Sequence, residues 1–388
     1  MTAQYGDVTL AEDVLAEAFA SALASWPVSG VPDNPEAWLM KAASRKAVDA
    51  ARKAGTAARH ARTTRPLMTD ADMTPPEKDG SVDRDRRLEL LFLCAHPALP
   101  APAHTALMLQ TVLGFTAEDI AAAMLESPAA IGQRLARAKR LLAKGNIPFA
   151  IPPDHIRRER MAAVLRAIYA AYTSGWENIA GGTDPVTGLA SEAEWLARCL
   201  IRQVPGDAEA KGLLALILYC ESRRAARRDS AGRYVPLNDQ DTALWDEARI
   251  REATALLTEA SQAKSPGRFQ LEAAIQAVHA ARRETGCTDW ALICQLYQAL
   301  RSTAPSAGAQ IGEAAARLQA GEPETALTLL DAIAGKETAQ HAPYWAVRAH
   351  VLYALGEVEA AHTALQNAAS LTPDEATRTW LLTRRRDT

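Results

Sequence analysis

Two stretches near the C-terminal end repeat one another at a fixed offset. That offset restricts the fold more than any other feature of the chain. "GEPETALTLLDAIA" begins at Gly321 and "GEVEAAHTALQNAA" at Gly356, 35 residues on. Gly, Glu, Glu, Ala, Thr, Leu and Ala recur in register, and Thr372–Pro373 follows the second copy. A period of this size, with small residues where helices cross, fits stacked helical hairpins. Such a hairpin cannot bury its apolar face alone, so two copies are too few and the helices before them are expected to complete the stack. From Ile156 onward one helical pattern follows another. No stretch alternates apolar and polar residues for long enough to build a sheet. The expected fold class is all-α, and 388 residues suit two or three domains.

Composition agrees with a soluble, mostly helical protein: 48% of residues are hydrophobic and only 5% aromatic. The formal net charge of -3 conceals an uneven spread. Residues 1–33 hold five carboxylates and no Lys or Arg. Residues 41–65 hold eight Lys/Arg against the single Asp49. Arg134, Arg137, Lys139, Arg140 and Lys144 then follow with no carboxylate among them. Basic blocks of this kind suit an anionic partner. Cys94, Cys199, Cys220, Cys287 and Cys294 form no CxxC pair, which favours reduced thiols and no metal site. No long apolar run and no leader pattern is present, so a cytoplasmic location without membrane contact is expected.

Leu10–Trp26 has the 3.6-residue period, with Leu10, Val14, Leu15, Ala18, Phe19 and Leu23 on one face and Glu12, Asp13 and Glu17 on the other. "WPVSGVPDNP" is expected to end it. Asn34 then caps a second helix with Pro35 at its first position. That helix turns Trp38, Leu39, Ala42, Ala43 and Val48 inward and Lys41, Arg45, Lys46, Arg52 and Lys53 outward. Trp38 reads as core. Residues 61–86 lack periodicity and read as a flexible linker. Helical patterning resumes at Leu88 and runs to Ala143, with Gly145 as the C-cap.

"TAEDIAAAMLESPAAIGQRLARAKRLL" (Thr116–Leu142) carries two helix starts in close succession. Thr116 caps the first, whose opening turn holds Glu118 and Asp119, where the helix dipole favours carboxylates. Ser127 caps the second, with Pro128 at its first position. Ile120, Ala121 and Met124 face Ile131, Leu135 and Leu142. Cap, turn and cap at this spacing describe a helix-turn-helix whose second helix enters the DNA major groove. Gln133, Arg134 and Arg137 stand where base edges are met, and Lys139, Arg140 and Lys144 suit phosphates.

The chain resembles the extracytoplasmic-function sigma factors. "NPEAWLMKAASRKAVDAARKAG" is similar to their region-2 signature, NPxAWLxxVARNRAxDxxRR, and "LAEDVLAEAFASAL" to the region-2.2 helix before it. The segment from Leu88 to Leu142 is similar to region 4. The C-terminal repeats resemble tetratricopeptide repeats. "LLALILYCESRRAAR", "LNDQDTALWD" and "PGRFQLEAAIQAVHA" look like the extension of the subgroup that carries such a domain.

The resemblance implies residues 1–62 as region 2, 63–87 as linker, 88–146 as region 4 and 147–388 as a tetratricopeptide-like domain. It also implies that Glu12, Asp13, Leu15, Glu17 and Phe19 dock on the β′ clamp helices of core RNA polymerase, with the β flap as a second contact. Asn34, Arg45, Lys46, Asp49, Arg52 and Lys53 would meet the −10 element of promoter DNA. Gln133, Arg134, Arg137, Lys139 and Arg140 would meet the −35 element. A regulatory protein or ligand is expected at the C-terminal domain. Several family positions differ. "YTSGW" (Tyr172–Trp176) stands for FNEGY. A polar Asn-Arg pair is missing from "PSAGAQIGEA" (Pro305–Ala314). The family's first helix would precede residue 10, so region 2 reads as truncated or the start as misassigned.

No phosphate-cradling loop, zinc motif or catalytic triad emerges, so no enzyme, cofactor or metal is expected. "GGTDPVTG" (Gly181–Gly188) reads as a turn between helices. His279 reads as a satisfied core histidine, and Cys199 and Cys220 as buried, inert thiols. Trp176, Trp195, Trp245, Trp290 and Trp345 read as helix-packing residues. "CESRRAARRDSAGRYVPLNDQD" brings Arg223, Arg224, Arg227 and Arg228 near Asp229, Asp239 and Asp241. This is either an ion-paired loop, a pocket for an anion, or a surface that docks region 2 or region 4. The function expected is an alternative sigma factor regulated by its C-terminal domain. The other readings are a helix-turn-helix regulator with a repeat-type sensor, and a sigma-like scaffold turned to enzymatic or ligand-binding use.

Overall fold

The computed structural model describes residues 8–57, 86–124, 126–144, 153–177, 185–333 and 335–384. Most of the stretch read as a linker, together with Gly145, lies outside them. Helices make up the described chain, and its extended pairing is one isolated bridge between Arg228 and Tyr234. The all-α class follows directly. Two compact units divide the chain, Met1–Ala167 and Ile168–Thr388. No helix among the described residues is long and apolar enough to cross a membrane.

In the first unit, α1 (Val8–Ser29) and α2 (Pro35–Ala57) form a hairpin. Val14, Ala18, Ala43 and Ala47 are buried between them, with Leu39 and Ala42 packed alongside. Trp38 is half-buried and meets Trp26 edge-on at 5.4 Å. The helix ends inside the expected stretch: α1 continues through Pro27 to Ser29. A proline one turn from the end removes little of the ladder. The Ser29 hydroxyl donates back to the Ser25 carbonyl at 2.9 Å, and Gly30 ends the helix at φ +82°, a conformation that favours glycine. The start of α2 is as read, with the Ala37 amide donating to Asn34 Oδ1 at 3.0 Å.

Next come α3 (Arg86–Cys94), α4 (Ala101–Leu113), α5 (Ala117–Met124) and α6 (Pro128–Lys144). Leu88, Leu91, Phe92, Leu107, Met108, Ile120 and Ile131 form their interior. From α7 (Asp154–Glu177), Arg160 donates to the Phe92 carbonyl at 3.0 Å.

The second unit is built around α9 (Ala208–Ser222), in which every residue from Gly212 to Tyr219 is buried. A helix apolar all round must be enclosed. The enclosing helices are α8 (Pro185–Gln203), α10 (Glu247–Ser261) and α11 (Arg268–Thr285). Glu209 on α9 takes the amides of Phe269 and Gln270 at 2.9 and 3.2 Å, so a carboxylate sits at the positive end of α11. The segment read as a turn, "GGTDPVTG", is corrected in its second half. Pro185–Gly188 open α8, since Pro suits a first helical turn. Gly181–Asp184 lie outside the described residues.

Hairpins of helices follow: α12 (Trp290–Thr303) with α13 (Ala307–Gln319), then α14 (Pro323–Asp331), the short α15 (Lys336–Ala339), α16 (Ala342–Ala354), α17 (Val358–Leu371) and α18 (Glu375–Arg384). The repeat signal falls at the same place twice. Gly321 turns α13 into α14 at φ +85°, and Gly356 turns α16 into α17 at φ +81°. Gly308, by contrast, lies inside α13 with open space where a Cβ would project. Gly308→Ala is expected to stabilise the protein by about 0.4–1 kcal/mol, read as a rise in the urea midpoint.

Candidate nucleic-acid interface

The α5–α6 pair is positioned by its caps. The Asp119 amide donates to Thr116 Oγ1 at 3.2 Å, and the Thr116 amide donates to Asp119 Oδ2 at 3.0 Å. This reciprocal bond satisfies two donors at the start of α5. The Ala130 amide donates to Ser127 Oγ at 3.3 Å and starts α6. Ile131, Leu135, Ala138 and Leu142 are buried along one stripe of α6. Gln133, Arg137 and Arg140 stand exposed on the other side.

The remaining two residues of this set are engaged. Arg134 grips Glu126 with both terminal nitrogens, one at 2.8 Å. That bidentate bond, ahead of its charge, holds the Glu126 carboxyl below its ordinary range. Lys139 forms an ion pair with Glu12 of α1 at 2.5 Å, its side chain 17% exposed. Lys46 of α2 reaches Glu17 of α1 at 3.5 Å. The acidic helix therefore supplies counter-charge to both basic helices. Asp13 is exposed, Leu15 half-buried and Phe19 48% exposed. Asn34 and Arg45 are exposed. The side chains of Asp49, Arg52 and Lys53 lie outside the described residues.

Residue order showed the basic stripe and both caps. It did not show the Glu12–Lys139 pair, whose partners are far apart in the chain, or the Glu126 clamp. Acidic residues just before a basic helix were the available signal. Removing the pair frees a cation: Glu12→Gln is expected to tighten duplex DNA binding by about 0.5–1 kcal/mol, or roughly two- to fivefold in Kd, at low salt.

The C-terminal arginine cluster is mostly ion-paired. Arg224 holds Glu221 at 2.6 Å, Arg228 holds Asp374 at 2.6 Å, and Arg233 holds Asp229 at 2.7 Å. Asp241 caps a short turn through the Ala243 amide at 2.9 Å. Arg223 differs: it donates to Gln276 Oε1 at 2.6 Å. Burial pushes the Arg227 guanidinium down, with Arg223 and Arg224 adding to the effect. Asp239 is exposed on the turn Leu237–Asp239. Arg282 and Gln276, on α11, were absent from the sequence-based set.

His279 is corrected from satisfied to unsatisfied, because Nδ1 has no hydrogen-bond partner among the described residues. Burial pushes the Cys220 thiol up and takes the Cys94 thiol to about 12, leaving both unreactive near neutrality.

Known proteins match this architecture in two places. The sigma-70 region 4 family matches residues 89–142, which span α3 to α6, and a family of unknown function (DUF6596) matches residues 160–261. The first unit thus carries a stretch similar to sigma-70 region 4 over its helix-turn-helix. An uncharacterized protein of Rhizobium meliloti (strain 1021) is 37% identical over 371 residues, covering 95% of this chain and 87% of that protein. This chain belongs to the same family as that protein. No solved structure matches it.

Proposed function

We propose that the protein is an alternative sigma factor of the extracytoplasmic-function type. In this reading it binds core RNA polymerase through α1 and grips promoter DNA with α2 and α6. Its C-terminal helical domain, of tetratricopeptide type, regulates that activity. Residues 1–62 act as region 2, 63–87 as linker, 88–146 as region 4 and 147–388 as the regulatory domain.

One observation carries the reading. The region 4 match falls on a capped helix-turn-helix whose second helix presents Gln133, Arg137 and Arg140 outward, with no ion pair to either arginine among the described residues. Arg and Gln on such a face recognise guanine and adenine edges, and the remaining cations hold phosphates. The exposed Asp13 and the 48% exposed Phe19 support α1 as the surface for a basic protein partner.

Co-purification with core polymerase tests the reading. Stoichiometric association, reduced by Phe19→Ala with Asp13→Lys, is the expected result. DNA binding without polymerase association would instead favour a helix-turn-helix regulator with a repeat-type sensor.

A further inference from the structure

A cavity of about 550 Å³ opens inside the second unit, between the turn Leu237–Asp239 and helices α11, α12, α13, α16 and α18. Its size lies within the roughly 300–1,000 Å³ common for small-molecule sites. Trp290, Tyr297 and Trp380 supply aromatic walls, Leu237 an aliphatic one, and His279 and Asp239 polar groups. The walls are fixed by contacts of their own. The Tyr297 ring lies directly on Gly312, where a Cβ would fall 2.5 Å from the ring carbons. His279 meets Trp290 edge-on at 5.4 Å. Asn238 Nδ2 donates to Gln319 Oε1 at 3.3 Å, which ties the turn to α13.

Among the described residues the lining carries one carboxylate and no lysine or arginine. His279 adds no positive charge near pH 7. It is 8% exposed, and burial first, then the charges of Arg223 and Arg282, hold its pKa at about 3. Neither arginine lines the cavity. Arg223 donates to Gln276 Oε1, and Arg282 donates to the carbonyls of Leu237, Asn238 and Gln240 while its guanidinium covers the Trp245 ring. Their charge makes the His279 end suit an uncharged group. Asp239 is exposed, so the acidic group of the lining is also the one nearest solvent. Arg282 offsets part of its charge from outside the wall. What a ligand itself meets is aromatic rings and a carboxylate. Rings attract cations through their negative faces, and a carboxylate adds to that attraction.

We propose that this cavity binds a small organic cation, an amine or quaternary ammonium compound, its apolar body among Trp290, Tyr297 and Trp380 and its ammonium toward Asp239. That such a ligand regulates transcription rests on the function proposed above; the binding itself does not.

Calorimetry on the full chain near neutral pH tests it. Tryptamine is set against tryptophol, phenethylamine against 2-phenylethanol, and choline against 3,3-dimethylbutan-1-ol, each a cation against an uncharged alcohol of like shape. At least one cation is expected to saturate below about 1 mM and to bind at least roughly fivefold more tightly than its alcohol. Asp239→Asn, at an exposed position, should weaken that cation at least about threefold and leave the alcohol unchanged. A general attraction of cations to an acidic chain would survive this substitution. Ala315→Leu fills the cavity from α13 without altering charge, and should abolish binding of cation and alcohol alike. Alcohols binding as tightly as cations, no cation saturating below about 1 mM, or either variant binding the cation as the unaltered chain does would overturn the proposal. Neither DNA nor polymerase enters the measurement. Failure here therefore leaves the transcriptional reading intact, and failed polymerase association leaves this one intact.

Discussion

Arg137→Ala is expected to cut promoter-directed transcription by at least about tenfold while leaving polymerase association unchanged. The guanidinium is exposed on α6, one turn beyond Gln133, with no ion-pair partner among the described residues. A bidentate contact to guanine discriminates by about 1–3 kcal/mol, a factor of roughly 5 to 150. Arg134→Ala should behave differently. Arg134 is held by Glu126, so DNA must displace that carboxylate before the guanidinium can reach a base. Glu126→Gln should therefore strengthen DNA binding where Arg134→Ala weakens it. Lys139→Met should act in a third way. If Lys139 meets a phosphate as proposed, and no base, binding should fall evenly across sequences and the salt dependence of log K should drop by about one unit.

Gly212→Ala is expected to be among the most damaging single substitutions in the second unit. A Cβ at this position would lie 2.7 Å from the Gln270 amide nitrogen and 3.0 Å from its Cα. These are backbone atoms of α11, which a rotamer change cannot move. The central helix α9 and α11 would have to separate, disturbing the Glu209 bonds that start α11. Overpacking of this kind costs about 1–3 kcal/mol. In a unit of this size that is a fall of roughly 3–10 °C in the melting midpoint. Gly308→Ala serves as the matched control, since the same added methyl meets open space. The two substitutions should move stability in opposite directions.

These contrasts mark where residue order was a sufficient guide. Caps were legible because they are local: Thr116, Ser127 and Asn34 each act within three residues of themselves. The all-α class was legible because the 3.6-residue period fills the chain, and Gly321 and Gly356 marked equivalent turns. The stretch that stops α1 was legible too: Gly30 ends the helix, and Pro27 in its last turn forfeits little. His279 misled because an apolar helix face says that a residue is buried and nothing about what its nitrogens meet. The largest gap concerned charge. Acidic and basic blocks were plain in the sequence and were assigned to outside partners. In the fold Glu12 and Glu17 of α1 answer Lys139 and Lys46 first. No local rule pairs residues 127 positions apart.

The same pairing sets a condition on the proposed activity. Promoter DNA and polymerase must together compensate for the loss of the Glu12–Lys139 bond. The cost is modest, because a partly exposed ion pair contributes only about 0.5–1 kcal/mol.

Run-off transcription with core RNA polymerase on a promoter library tests the central claim most directly. The account predicts discrete transcripts that require this protein, share −35 and −10 elements, and fade with Arg137→Ala. Core polymerase that starts no transcript from any promoter in the library with this protein present would contradict it.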